Sequence, residues 1–132
     1  MSSSWPSIVD YVRSNYKVSD EQPGMLKLIF ETGNLRTQVV ILTRQASQAN
    51  PNDEWLHIES PVGDLASIDL RQAVIAVGET LCGGLSVIGS VVTLRHAVPL
   101  ANININELEQ PLALVTTTAD RLERTLVGGD QY

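Results

Sequence analysis

Gly83-Gly84-Leu85-Ser86-Val87-Ile88-Gly89-Ser90-Val91-Val92-Thr93-Leu94-Arg95-His96-Ala97-Val98-Pro99-Leu100 is a short apolar run, a break at Gly89-Ser90, and a longer apolar run that stops at a proline. Two such runs joined by two residues predict an antiparallel hairpin, and glycine in the first turn position suits a type II′ turn. In the outgoing strand Val92, Leu94, His96 and Val98 share one face, while Val91, Thr93, Arg95 and Ala97 share the other. The joint Ala101-Asn102-Ile103-Asn104-Ile105-Asn106 then feeds a helix that ends near Leu126. Leu108, Leu112, Val115, Ala119, Leu122 and Leu126 form its apolar stripe. Asn104 with Glu107, or Asn106 with Glu109, can form the capping box, and Pro111 favours the later start. Glu107 and Glu109 stand at the positive end of the helix dipole and Arg121 and Arg124 at the negative end, with Gly128-Gly129 as the stop.

Upstream of the hairpin, Leu70, Ala73, Val74, Val77 and Leu81 recur at helical spacing. They predict a helix from Leu70 to about Leu81, capped by Ser67 or Asp69 and ended by a left-handed Gly83 or Gly84. Before it, Trp55–Ser60 reads as a strand stopped by Pro61, with Trp55, His57 and Glu59 on one face and Leu56 and Ile58 on the other. Gln45–Glu54 is a polar loop. Met25–Phe30 alternates as a strand, Gly33-Asn34 turns the chain, and Leu35–Arg44 returns as its hairpin partner. Asp20-Glu21-Gln22-Pro23-Gly24 reads as a turn. Ser4 can cap a first amphipathic helix carrying Trp5, Ile8, Val9, Val12 and Tyr16 on one face, with Pro6 in its first turn. The order is therefore α-β-β-β-α-β-β-α, one α+β domain over residues 1–132 with an antiparallel five-stranded sheet and helices packed on it.

Within the second strand, Val39-Val40-Ile41-Leu42 is apolar on both faces. A sheet covered on one side only does not favour that pattern, so a helix or a second subunit is expected over the other face.

The chain has 132 residues, 43% of them apolar and 18% charged, and a net charge of -6. Length and composition suit a single globular core. The acidic balance and the scattered Lys and Arg argue against nucleic acid or an anionic membrane as a partner. Cys82 is the single cysteine, which excludes an intrachain disulfide and a Cys-based zinc site. The first residues carry no basic segment or apolar run of a signal peptide, and no stretch is apolar for the length of a membrane span, so a cytoplasmic location is expected.

Catalytic constellations are not legible. The glycines of Gly83–Gly89 follow a helix and lack the P-loop lysine and the dinucleotide spacing, so they are read as a helix stop and a hairpin turn. His57 and Glu59 share a strand face and could bind a metal if His96 joined them. Packing is the simpler reading of both histidines. Cys82 reads as a small buried residue at a helix end, without a spaced His and acid to activate it. No cofactor, metal or catalytic residue is assigned.

The segment Gly83-Gly84-Leu85-Ser86, the strand Val92-Thr93-Leu94-Arg95-His96-Ala97-Val98-Pro99-Leu100 and the amphipathic Leu108–Leu126 helix together resemble the YbjN-type family. Its members are also described as bacterial sensory transduction regulators. The order of elements is similar to that of type III secretion chaperones. The resemblance implies a compact, often self-associating α+β domain that acts through protein contacts, and it transfers no catalytic residue. The expectation is a non-enzymatic, chaperone-like or regulatory adaptor in a bacterial cytoplasm. It would work as a homodimer with an unidentified protein partner, and Ile29, Val40, Leu42 and Val91 are the candidate contact positions. The alternative is a small-molecule-binding regulatory module with a pocket between the sheet and the first helix, near Trp5 and Tyr16.

Overall fold

The computed structural model describes residues 5–33, 35–101 and 103–127. Ser4 as a cap, Asn34 of the expected turn and the Gly128-Gly129 stop lie outside the described residues. The elements are α1 (Trp5–Asn15), β1 (Lys17–Gln22), β2 (Met25–Gly33), β3 (Arg36–Ala46), β4 (Glu54–Asp64), α2 (Leu70–Gly78), β5 (Gly84–Ile88), β6 (Val91–Pro99) and α3 (Ile105–Leu126). Every strand pairing is antiparallel, and the order across the sheet is β1-β2-β3-β4-β6-β5. The fold is thus α+β, with six strands where five were expected.

The sixth strand is β1, in the segment read as a turn. Its sequence Lys-Val-Ser-Asp-Glu-Gln has a single apolar residue, Val18, because an edge strand at the sheet margin is solvated on nearly all sides. The turn proper is Pro23-Gly24, where Gly24 takes φ 73°. A second correction concerns Pro61. β4 does not stop there but runs on to Asp64, with a register shift between Pro61 and Gly63 in its ladder with β6. The β3–β4 pairing ends at Ile41 and Glu59, so the missing N–H of Pro61 interrupts no bond to β3. Side chains take over where that ladder ends. The fully buried Gln38 donates from Nε2 to Ser60 Oγ at 2.7 Å and to the Pro61 carbonyl at 2.8 Å, and Ser60 Oγ donates to the Val39 carbonyl at 2.5 Å.

The core lies between one face of the sheet and the helices. Leu26, Leu28, Val40, Leu42, Leu56, Ile58, Val92 and Leu94 supply the sheet side with no exposed surface. Opposite them, α3 lies across β4 and reaches β2, β3 and β6, burying Leu108, Leu112, Val115, Ala119 and Leu122. Each such Leu, Ile or Val side chain contributes about 1.5–3 kcal/mol when fully buried. Helix α1 packs by β1 with Trp5, Ile8 and Val12 buried, and α2 packs by β5 and α3 with Ala73 and Val77 buried.

Both capping readings resolve to one member of each pair. Asp69 caps α2 by accepting from the Gln72 N–H at 3.1 Å. Asn104 and Glu107 form the reciprocal box of α3, each bond 2.9 Å, so the helix takes the earlier start and carries Pro111 inside it. The two satisfied N-terminal donors compensate the one intrahelical bond that Pro111 cannot make. Helix α2 ends at Gly78, with Glu79 as its cap, and not at the paired glycines. Gly84 instead opens β5 at φ 152°, and a Cβ on Gly83 would come within 3.2 Å of the Arg95 carbonyl. Gly89 takes φ 60° and Ser90 a negative φ, which is the type II′ pattern expected of the hairpin.

Candidate interaction surfaces

The four expected contact positions divide between the two faces of the sheet. Val40 and Leu42 point at the helices and are fully buried in their own chain's core, so they are not available to a partner. Ile29 and Val91 point the other way. Ile29 pairs across to Val39, Lys27 to Ile41, and Val91 to Ile88, so Val39 and Ile41 are the β3 residues of that face. All three helices pack on the Val40 and Leu42 side. The apolarity of Val39–Leu42 on both faces is therefore met by own-chain helices on one face only.

Lys27, Val39, Ile41, Pro61, Ile88, Val91 and Thr93 line a shallow trough of about 210 Å³ on that open face. Along one side runs a polar row, in which Ile41 is paired to Glu59 and Glu59 to Arg95. The Glu59 carboxylate accepts from Thr93 Oγ1 at 2.8 Å and from Arg95 Nη2 at 3.0 Å, which accounts for its being only 4% exposed. His57 lies on the same face, two residues along. Burial foremost, then the Arg95 charge, pushes its imidazole below the usual 6.5, and Glu59 opposes the shift in part.

His96 is paired to Ile58, whose side chain belongs to the buried face, so it projects on the side opposite His57 and Glu59. The three residues do not converge. Among the described residues no three His, Cys, Asp or Glu side chains gather as a metal site. Cys82 is half-buried after α2, and burial raises its thiol above the ordinary range, opposed by hydrogen bonds with Thr118 and Thr80 and by the Arg121 charge. It has the electrostatics of a packed thiol rather than an activated nucleophile.

A third surface escaped the reading of periodicity. The expected apolar stripe of α2 is only half realised: Ala73 and Val77 are buried, but Val74 is 59% exposed and Leu81 82%, with Leu70 exposed as well, and outside the stripe Ile75 is 50% exposed. On β5, the last strand of the sheet, Val87 is exposed on the helix face and Ile88 on the open face, where it lines the trough. The two sheet margins differ in kind. β1 carries Lys17, Asp20 and Glu21, has a bulge between Val18 and Asp20, and is strapped by the Arg13–Glu21 ion pair. β5 is uncharged, regular in its register with β6 and apolar toward its end. The first is a protected edge and the second is not. The signal was present in Ala73-Val74-Ile75-Ala76-Val77, five consecutive apolar residues that no single helix face can bury.

Near the expected small-molecule site, Trp5 is buried in the core. Tyr11 and Tyr16 both donate through their hydroxyls to Oε2 of Glu109 on α3, at 2.5 and 3.0 Å. Tyr16 also packs against Phe30, ring centroids 5.3 Å apart. An opening of about 570 Å³ beside Tyr16 lies between the end of β2 and α3, and another of about 720 Å³ lies between α1, at Ser7, Ile8 and Tyr11, and the start of α3. Among the described residues no helix is long and apolar enough to cross a membrane. Compared with models of known protein families and with curated proteins, the chain matches none.

Proposed function

We propose that this chain is a non-enzymatic protein-interaction domain, a chaperone-like or regulatory adaptor that works as a homodimer in a bacterial cytoplasm. The observation that carries the reading is the unprotected β5 margin flanked by the exposed apolar side of α2. A contiguous surface of that kind is costly to leave in water and is typical of an interface.

A second copy is the occupant that fits best. Arg71 and Glu79 are the only charged residues of α2 and its C-cap, four positions to either side of Ile75. At about 100° per residue they flank Ile75 symmetrically on the solvent side. Two α2 helices crossing antiparallel about a two-fold axis at Ile75 bring each Arg71 toward the partner's Glu79, with Val74 and Ile75 packed between them. The open face of the sheet then stays free, and Ile29 with the trough of Val39, Ile41 and Val91 is where an adaptor's unidentified protein partner would dock.

Light scattering coupled to size exclusion tests the core of this reading. The chain should run at twice its mass at tens of micromolar. A monomer at that concentration overturns it. For the partner surface, affinity capture with the chain and with Ile41→Glu is the comparison, and a protein retained equally by both places the docking site elsewhere.

A further inference from the structure

We propose that the groove beside Tyr16 is a binding site for a small organic cation, an alkylammonium or guanidinium group on a short aliphatic stem. The groove lies at the β2 side of the sheet, far from α2 and β5, so it stands independently of the dimer.

Three features of its lining select that chemistry. The first is a fixed acceptor. Both tyrosine hydroxyls bond to Oε2 of Glu109, which orients the carboxylate, and Oε1 makes no hydrogen bond among the described residues and is not buried. A preoriented carboxylate oxygen open to a groove is a ready partner for an N–H cation. The second is an aromatic wall. Tyr16 and Phe30 stand together with their rings tilted 55°, and such faces attract a cation by the ring quadrupole. The third is the charge of the walls. Glu31, Glu109, Asp120 and Arg124 line the groove; Asp120 is already paired with Arg36 at 3.1 Å and Arg124 at 3.5 Å, so Glu31 and Glu109 are the carboxylates outside those ion pairs. Leu112 and Ala113 on α3 form the apolar part that a stem would cover. An anion of equal size meets the same carboxylates and is repelled.

The tyrosines keep their role as donors over the physiological range. Burial and the Glu109 bond hold the Tyr16 hydroxyl well above its ordinary value, so it stays protonated.

Titration of the full chain with agmatine and with butylammonium, followed by backbone amide NMR and calorimetry, tests the site. Butyrate and sodium chloride at matched ionic strength are the controls. Saturable shifts should concentrate at Tyr16, Phe30 and Ala113 and be absent with butyrate. Glu109→Gln should weaken binding about ten-fold or more, the loss expected for a charge-assisted bond. Ala113→Trp fills the groove from an exposed helix position one turn after Glu109, and it should abolish binding while thermal unfolding stays unchanged. No saturable response to either cation, an equal response to butyrate, or full affinity in Glu109→Gln or Ala113→Trp overturns the proposal.

Discussion

Replacing Val74 and Ile75 together by glutamine is the sharpest perturbation of the dimer reading. The two side chains are 59% and 50% exposed, so each has roughly half its apolar surface left to bury. Full burial of such a side chain is worth about 1.5–3 kcal/mol, which leaves about 1 kcal/mol apiece for the interface. A two-fold contact uses every residue twice. The pair therefore contributes about 4 kcal/mol, and its loss raises the dimer Kd roughly a thousand-fold. Glutamine is a better helix former than either β-branched residue, and both positions point away from the core, so the protomer fold should be kept. Sedimentation equilibrium over a concentration series gives the Kd, and thermal unfolding at a concentration where both proteins are monomeric checks the fold. An unchanged Kd in the double variant would refute the placement of the interface on α2. A changed Kd with a lowered monomer melting temperature would refute the premise that these side chains are not part of the core.

Other expectations concern single groups. Gln38→Ala removes both bonds that stitch β3 to β4 at Pro61, strands the buried Pro61 carbonyl and leaves a cavity. Urea unfolding should show a loss of about 2–4 kcal/mol, and a loss under about 1 would mean the side chain is not structural. His57 has its folded-state pKa held below the usual 6.5, so the unfolded chain binds the extra proton first. Stability should fall as pH drops from about 6.5 through the lowered folded value, and His57→Gln should flatten that part of the pH profile. Cys82, its thiol raised by burial, should react with a disulfide reagent at pH 7–8 far more slowly in the folded chain than in denaturant. Equal rates would place it in an exposed, activated setting.

Where local patterning and burial coincide, the residues were legible without coordinates. The Gly83–Leu126 segment folds as strand, type II′ turn, strand and capped helix, and the stripe Leu108, Leu112, Val115, Ala119 and Leu122 is the buried one. Periodicity suffices there because a strand or helix with one covered face must repeat its apolar residues at the period of its own geometry. β1 has no such repeat, since an edge strand is held by backbone bonds to its neighbour and needs no apolar face of its own. Pro61 looked like a strand end because a proline's missing donor matters only on the side where a ladder continues, and one strand does not reveal which side that is.

The candidate site followed the same division. Alternation alone separates Val40 and Leu42 from Val39 and Ile41, and the hydrophobic run in α2 is visible in the letters Ala73 to Val77. Which of the two β3 faces receives the helices, and which side of α2 is left in water, depends on how distant elements are placed. Tyr11 and Tyr16 meet Glu109 across more than ninety residues of chain, a convergence that no spacing encodes. The sequence by itself determined the elements other than β1, the candidate N-caps and the two faces of each strand it showed, because those follow from local stereochemistry and period. Only the tertiary structure decided which of those faces are covered, because burial belongs to the neighbours a residue meets and not to the residue.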